Sequence, residues 1–261
     1  MRWPFTESVL FEEQGLYSTV KITKKGNRVN LFTGGKYLQS SFDLNSNPKG
    51  TVFDWYLAAP WFSGNFSGQI GTILILGLGA GSQVKLFNQA YQVESIIGVE
   101  IDPLVISLGR QFFDLNDRNL QVVTADASDY IKNAAVSADL IILDAYRENK
   151  YDPELGQNDL LKQTAAKLSQ SGVLIINRVN GEKSNQDLEN DLRGISKVVF
   201  AMKVYNNIFY ICTNSEVAPK SVSEAAGILK QAEKTNRTLK FFDSLKLSNL
   251  RVAVPLQIFT W

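Results

Sequence analysis

Residues 72–90 read TILILGLGAGSQVKLFNQA, and this stretch decides the fold. Its first five residues are all apolar apart from Thr72, as expected of a strand buried on both faces. Glycines follow at Gly77, Gly79 and Gly81, and a helical pattern runs from Ser82 to Ala90. Glycine tolerates positive φ and lets backbone approach a ligand closely. A helix start offers N–H groups without intrahelical partners and a partial positive charge. The turn is therefore expected to leave its amides open to a polar ligand group. Spaced glycines alone say little; their place between a strand and a helix is what gives them weight.

Downstream, residues 95–100 read SIIGVE, a second strand ending on Glu100 and followed by Ile101. Glu100 lies about 20 residues beyond the turn, the spacing at which a carboxylate reaches the hydroxyls of a ribose. A helix is expected from Pro103 to Phe113, with Pro at an early position. Further strands are expected at 120–123, 139–143 and 172–177, with helices at 127–133, 158–168 and 186–193. This alternation predicts an α/β fold with a mostly parallel, doubly wound sheet. The runs 198–202 and 208–212 are joined by only five residues, too few for a crossover, so that pair is expected to be an antiparallel hairpin.

In such sheets ligands bind outside the carboxyl ends of the strands. Two acids end strands there, Asp126 and Asp144. Asp126 is placed to accept from an adenine amino group, or to cap the helix starting at Ala127, or both. Asp144 is expected to face the same crevice, with Tyr146, Arg147, Glu148 and Tyr151 on the loop beyond.

Upstream, residues 17–38 alternate like short strands of a hairpin or three-stranded meander, and residues 52–62 like an aromatic helix ending near Pro60. Residues 63–69 have linker composition. The chain thus divides into a small N-terminal β unit with a short helix (1–62) and a larger Rossmann-like unit (63–261). Residues 252–261 suit either an edge strand or a packing arm.

Composition narrows the chemistry. The chain has 27 Lys plus Arg against 26 Asp plus Glu, which gives no support for nucleic-acid binding. It has no histidine, which removes Ser-His-Asp and Cys-His chemistry and imidazole metal ligands. Proton transfer near neutral pH then falls to a carboxylate, Tyr, Lys, water or a substrate amine. The single cysteine, Cys212, sits in an apolar run and reads as a buried small hydrophobe. No signal-like N-terminus or membrane-length apolar run is visible, so a soluble cytoplasmic protein is expected, without metal or membrane.

The motifs from about residue 35 to 180 resemble those of spermidine synthases and their class I methyltransferase-fold relatives. The resemblance rests on the glycine turn, Glu100, Asp126, the segment from Phe53 to Pro60, Asp144 with Tyr146, and residues 172–177. It implies S-adenosylmethionine or its decarboxylated form as co-substrate. Gln39, Gly77, Gly79, Gly81, Glu100, Ile101, Asp126 and Ala127 would hold the nucleoside, Asp144 would serve catalysis, and Asp54 and Tyr146 would contact a small-molecule acceptor. It also implies a homodimer. Departures matter too: Ala80 stands where aminopropyltransferases carry an Asp, Arg147 replaces a second acid, and Phe53, Asp54 and Trp55 replace a Tyr-His/Gln-Glu signature. Methyl transfer is therefore expected ahead of aminopropyl transfer to putrescine, with a non-catalytic nucleoside-binding scaffold as the third reading.

Overall fold

In the computed structural model, the described residues are 7–43, 48–147, 150–151 and 154–254. Glu148, Pro153, residues 45–47 and 255–261, and the side chains of Arg147 and Tyr151, lie outside the description. Four antiparallel strands form the N-terminal sheet in sequential order: β1 (Ser8–Gln14), β2 (Thr19–Lys25), β3 (Arg28–Thr33) and β4 (Tyr37–Asp43). β1 adds a strand that the alternation from residue 17 does not reveal. It is nearly all exposed, so no buried face imposes a pattern on it. Val20, Ile22, Val29 and Leu31 form the buried face of this sheet and pack with Val105, Leu108 and Phe113 of the larger unit.

A 3-10 helix, Val52–Ser63, follows. It runs through Pro60 and is almost wholly buried. Although the sequence groups it with the N-terminal unit, residues Trp55–Phe62 share a core with Ile73, Ile175, Phe200 and Phe209 of the main sheet. Its aromatic residues cannot be covered by a small four-stranded sheet, so they are absorbed by the larger core.

The main sheet is built from β5 (Gln69–Leu76), α1 (Ser82–Ala90), β6 (Gln92–Glu100), α2 (Pro103–Phe112), β7 (Leu120–Thr124), α3 (Ala127–Asn133) and β8 (Ala138–Leu143). A short ladder of β9 (Tyr146–Arg147) and β10 (Lys150–Tyr151) follows, then α4 (Asn158–Ala165), β11 (Leu168–Val179) and α5 (Ser184–Arg193). The last strands and α-helix among the described residues are β12 (Val198–Val204), β13 (Asn207–Thr213), α6 (Val222–Thr235) and β14 (Leu250–Val254). The eight strands are ordered β14-β12-β13-β11-β8-β5-β6-β7. From β11 to β7 all pairs are parallel, while β13 meets both β11 and β12 antiparallel. The predicted terminal hairpin is present, and residues 250–254 add an antiparallel edge strand to it. Leu168 is a strand residue rather than the end of a helix. α4 stops at Ala165, and β11 starts three residues later. Cys212 is fully buried and its thiol is pushed up to about 12, in keeping with a core role.

β5 connects onward to β6 on one side and lies beside β8 on the other, so the strand order reverses between β5 and β8. That reversal opens a crevice at their carboxyl ends. Gly77 follows β5 and Asp144 follows β8, and a side chain at Gly77 (φ 92) would come within 2.3 Å of the Asp144 carbonyl.

Candidate active site

A cavity lies at this switch point. Its walls come from the N-terminal sheet (Tyr17, Ser18, Val20, Leu31, Thr33, Gln39), the glycine turn (Gly77, Gly79), the end of β6 (Val99, Glu100, Ile101, Asp102) and the ends of β7 and β8 (Ala125 to Ala127, Asp144 to Tyr146). Most of the residues singled out from sequence therefore converge. Gln39, Gly77, Gly79, Glu100, Ile101, Asp126, Ala127, Asp144 and Tyr146 all line one space.

Glu100 points at the turn. Its Oε2 accepts from the Gly79 amide at 2.8 Å, and Oε1 accepts from Ile101 N (2.9 Å) and Asp102 N (3.1 Å). Burial raises its carboxyl above the usual range, while the three amide donors pull the other way. A carboxylate offers about four lone-pair sites, two on each oxygen, so these three bonds fill Oε1 and leave one site on Oε2. The structure corrects one expectation here. The turn's amides are not open: Gly77 N and Leu78 N donate to Val99 O, Gly79 N to Glu100, Ala80 N to Ser40 Oγ and Gly81 N to Leu78 O. The glycines let neighbouring segments of the protein come close: a side chain at Gly79 would come within 2.8 Å of Ser40 Oγ.

Two candidate residues are not brought to the cavity. Gly81 (φ 88) is the residue before α1, and a side chain there would strike Leu115 at 2.2 Å, so its smallness serves packing under α2. Asp54 is buried in the 3-10 helix, where its Oδ2 accepts from Lys49 N, Thr51 N and Thr51 Oγ1. An acid three residues after Thr51 completes a capping box, and that local demand takes the carboxylate away from any substrate. Asp126 also caps a helix: Oδ1 accepts from Ser128 N, Ser128 Oγ and Asp129 N while the residue borders the cavity.

Asp144 is the most strongly prepared group. Tyr56 donates its hydroxyl to Oδ2 at 2.6 Å, and Asn177 donates Nδ2 to Oδ1 at 2.8 Å. Burial nevertheless pushes the carboxyl up to about 6, because the desolvation cost exceeds what the two donors return. The Tyr56 hydroxyl is raised well above its ordinary value, by burial and then by the neighbouring Asp144 charge. Tyr56 and Asn177, which hold the Asp144 carboxylate, are not picked out as site residues by sequence reasoning. Asn177 is a polar residue near the carboxyl end of a buried strand, the same signal that picked out Asp144. Tyr56 has no such signal, since only the path of the 3-10 helix points it at β8.

The charge of the lining is one-sided. Among the described lining residues four are carboxylates and none is Lys or Arg. Asp102 is partly spent on structure: Oδ1 caps α2 at Leu104 N, and Oδ2 accepts from Leu16 N. The remaining field favours a cationic guest.

The chain is similar to proteins of one family. Residues 62–234 match the model of the spermine/spermidine synthase domain. A polyamine aminopropyltransferase of Chromobacterium violaceum is 30% identical over 169 residues, covering 64% of each chain. A Drosophila melanogaster eEF1A lysine and N-terminal methyltransferase homolog is 26% identical over 161 residues, covering 55% of this chain and 23% of that one. The crystal structure of a probable spermidine synthase from Corynebacterium glutamicum superposes with a TM-score of 0.73 at 16% identity, covering 86% of this chain and 87% of that one. The match thus spans less than two thirds of the Chromobacterium relative's length.

Proposed function

The chain belongs to the spermine/spermidine synthase family, and from that premise we propose that it is an alkyltransferase using an adenosyl sulfonium co-substrate. The observation that carries this reading is the shared cavity of Glu100 and Asp144, with Glu100 locked against the glycine turn and Asp144 held by Tyr56 and Asn177. Glu100 accepts from a ribose hydroxyl at its remaining site on Oε2, and Asp126 and Gln39 border the nucleoside. Asp144 orients an acceptor amine toward the carbon beside the sulfonium. The new C–N bond forms as the C–S bond breaks, its electron pair stays on sulfur as a neutral thioether, and the amine proton passes to Asp144 and on to solvent. Alignment and local electrostatics supply most of the acceleration in such a displacement. A carboxyl near 6 is a better proton acceptor than an ordinary aspartate and is still ionised at neutral pH.

The charge of the cavity favours the decarboxylated co-substrate. Its tail adds a second positive charge, whereas a methionyl carboxylate would meet acids, and the turn's amides are already engaged. This charge supports aminopropyl transfer to an amine as our leading reading, where the sequence reading put methyl transfer first. Methyl transfer is the second reading. It is favoured by Ala80, which is fully buried and brings no acid to the donor's tail. Calorimetry with both co-substrate forms, followed by mass spectrometry of an amine panel, tests the proposal. Tighter binding of the decarboxylated form and a product heavier by an aminopropyl group are expected. Binding of neither form contradicts the proposal.

A further inference from the structure

Asp144 is held by Asn177, and Asn177 is itself held. Asn207 donates Nδ2 to Asn177 Oδ1 at 2.8 Å, and the Tyr146 hydroxyl donates to the Asn177 carbonyl at 3.1 Å. Asn207 opens β13 directly after the two-residue turn Tyr205–Asn206. That turn carries Tyr205 at φ 54, a conformation that non-glycine residues adopt at a cost. The Tyr205 hydroxyl donates to Gly50 O at 2.8 Å, and Trp55 Nε1 donates to the same oxygen. The hairpin end therefore braces both of Asp144's partners, Asn177 through Asn207 and the Tyr56 helix through Gly50.

We propose that Asn207 is a positioning residue that fixes which end of the Asn177 amide faces Asp144. An amide has a donor end and an acceptor end of almost equal size, and the surrounding network selects between them. An ionised carboxylate only accepts, so Asn177 must present its NH2 to Asp144. Its oxygen then points at β13 and needs a donor, because Asn177 is only 8% exposed. Asn207 supplies that donor. The chain of bonds runs one way, from Asn207 to Asn177 to Asp144. Reversing Asn177 would set an oxygen against the carboxylate. The other titratable groups around Asp144 are Tyr56 on the 3-10 helix, Tyr146 on its own loop, and Glu100 and Asp126 lining the same cavity. Tyr56 also meets the Asn177 side chain, but at its NH2 end, where the hydroxyl and Asp144 both take a donor; Asn207 is the group that donates to its oxygen.

This inference rests on the role given to Asp144 above, and its test needs no activity. The 13C signal of the Asp144 carboxyl is titrated in the ligand-free wild type, in Asn207→Ala, in Asn177→Ala and in the double variant. Asn207→Ala is expected to raise Asp144's proton affinity about threefold to tenfold, half a unit to one unit of titration midpoint. In the Asn177→Ala background it should add nothing further, because the effect travels through Asn177. Asn207→Asp, nearly the same size, keeps the test open should the alanine variant not fold. Its carboxylate draws the Asn177 NH2 toward itself, so Asp144 should titrate higher still and the Asn177 side-chain NH2 signal should cease to follow Asp144. An unchanged midpoint in Asn207→Ala, or an equal shift with and without Asn177, overturns the proposal. Absence of nucleoside binding would sink the enzymatic reading and leave this titration result standing.

Discussion

At the residue scale the account turns on one carboxylate that is costly to ionise. The Asp144 carboxyl moves from 3.8 to about 6 on folding. Its contribution to stability is fully present below the lower value and is lost as pH rises through the upper one. At neutral pH the buried charge costs about 2 to 3 kcal/mol. Asp144→Asn should therefore flatten the pH dependence of stability between those values and raise stability at pH 7, as measured by denaturant unfolding across a pH series. The same substitution should lower kcat by about 100-fold or more while changing nucleoside affinity little. Wild-type kcat/KM should rise with pH through a limb near 6 as Asp144 ionises, a limb that Asp144→Asn lacks. Tyr56→Phe removes a charge-assisted donor and should move that limb upward by about one unit. A limb unmoved in Tyr56→Phe would mean that the Tyr56 bond carries no weight in the free enzyme. Asp144 and Glu100 stand out in the sequence as acids that end apolar strands, although Glu100 also serves the fold by accepting three amides. Asp54 misled because an acid three residues into a helix has a strong structural use.

At the element scale, the Rossmann-like alternation was readable almost strand by strand, since buried parallel strands need unbroken apolar runs and glycine turns interrupt them. What could not be read was docking between elements. Ser40 and Ser41 of β4 look like ordinary polar strand residues, yet Ser40 Oγ accepts the buried Ala80 amide and Ser41 exchanges bonds with Ser82 Oγ. No local pattern announces a hydroxyl that caps a turn 40 residues away. Of the amides expected to be free at Gly77–Gly81, Ala80 is taken by that hydroxyl, three others by Val99 O and Glu100 on β6, and Gly81 by the nearby Leu78 carbonyl. Ser40→Ala should leave a buried N–H unsatisfied and cost about 1 to 3 kcal/mol in urea unfolding. A loss below about half a kcal/mol would show that water replaces the hydroxyl.

At the scale of the whole molecule, the cavity is a property of two units together. The N-terminal sheet supplies one wall through Tyr17, Thr33 and Gln39, and is tied to the Rossmann-like unit by Leu16 N on Asp102 and by the Ser40–Ser41 bonds. That sheet also presents β1 as an exposed edge with Val9 and Leu10 uncovered. Edges of this kind invite pairing. We expect a homodimer in solution, and light scattering at the monomer mass would rule it out. Among the described residues no helix is long and apolar enough to cross a membrane. The most direct test of the central claim is a crystal structure with 5′-methylthioadenosine. The account predicts a ribose hydroxyl on the Glu100 carboxylate, with the sulfur on the side of the cavity toward Asp144. A nucleoside bound elsewhere, or a cavity that stays unliganded at saturating concentration, would contradict it.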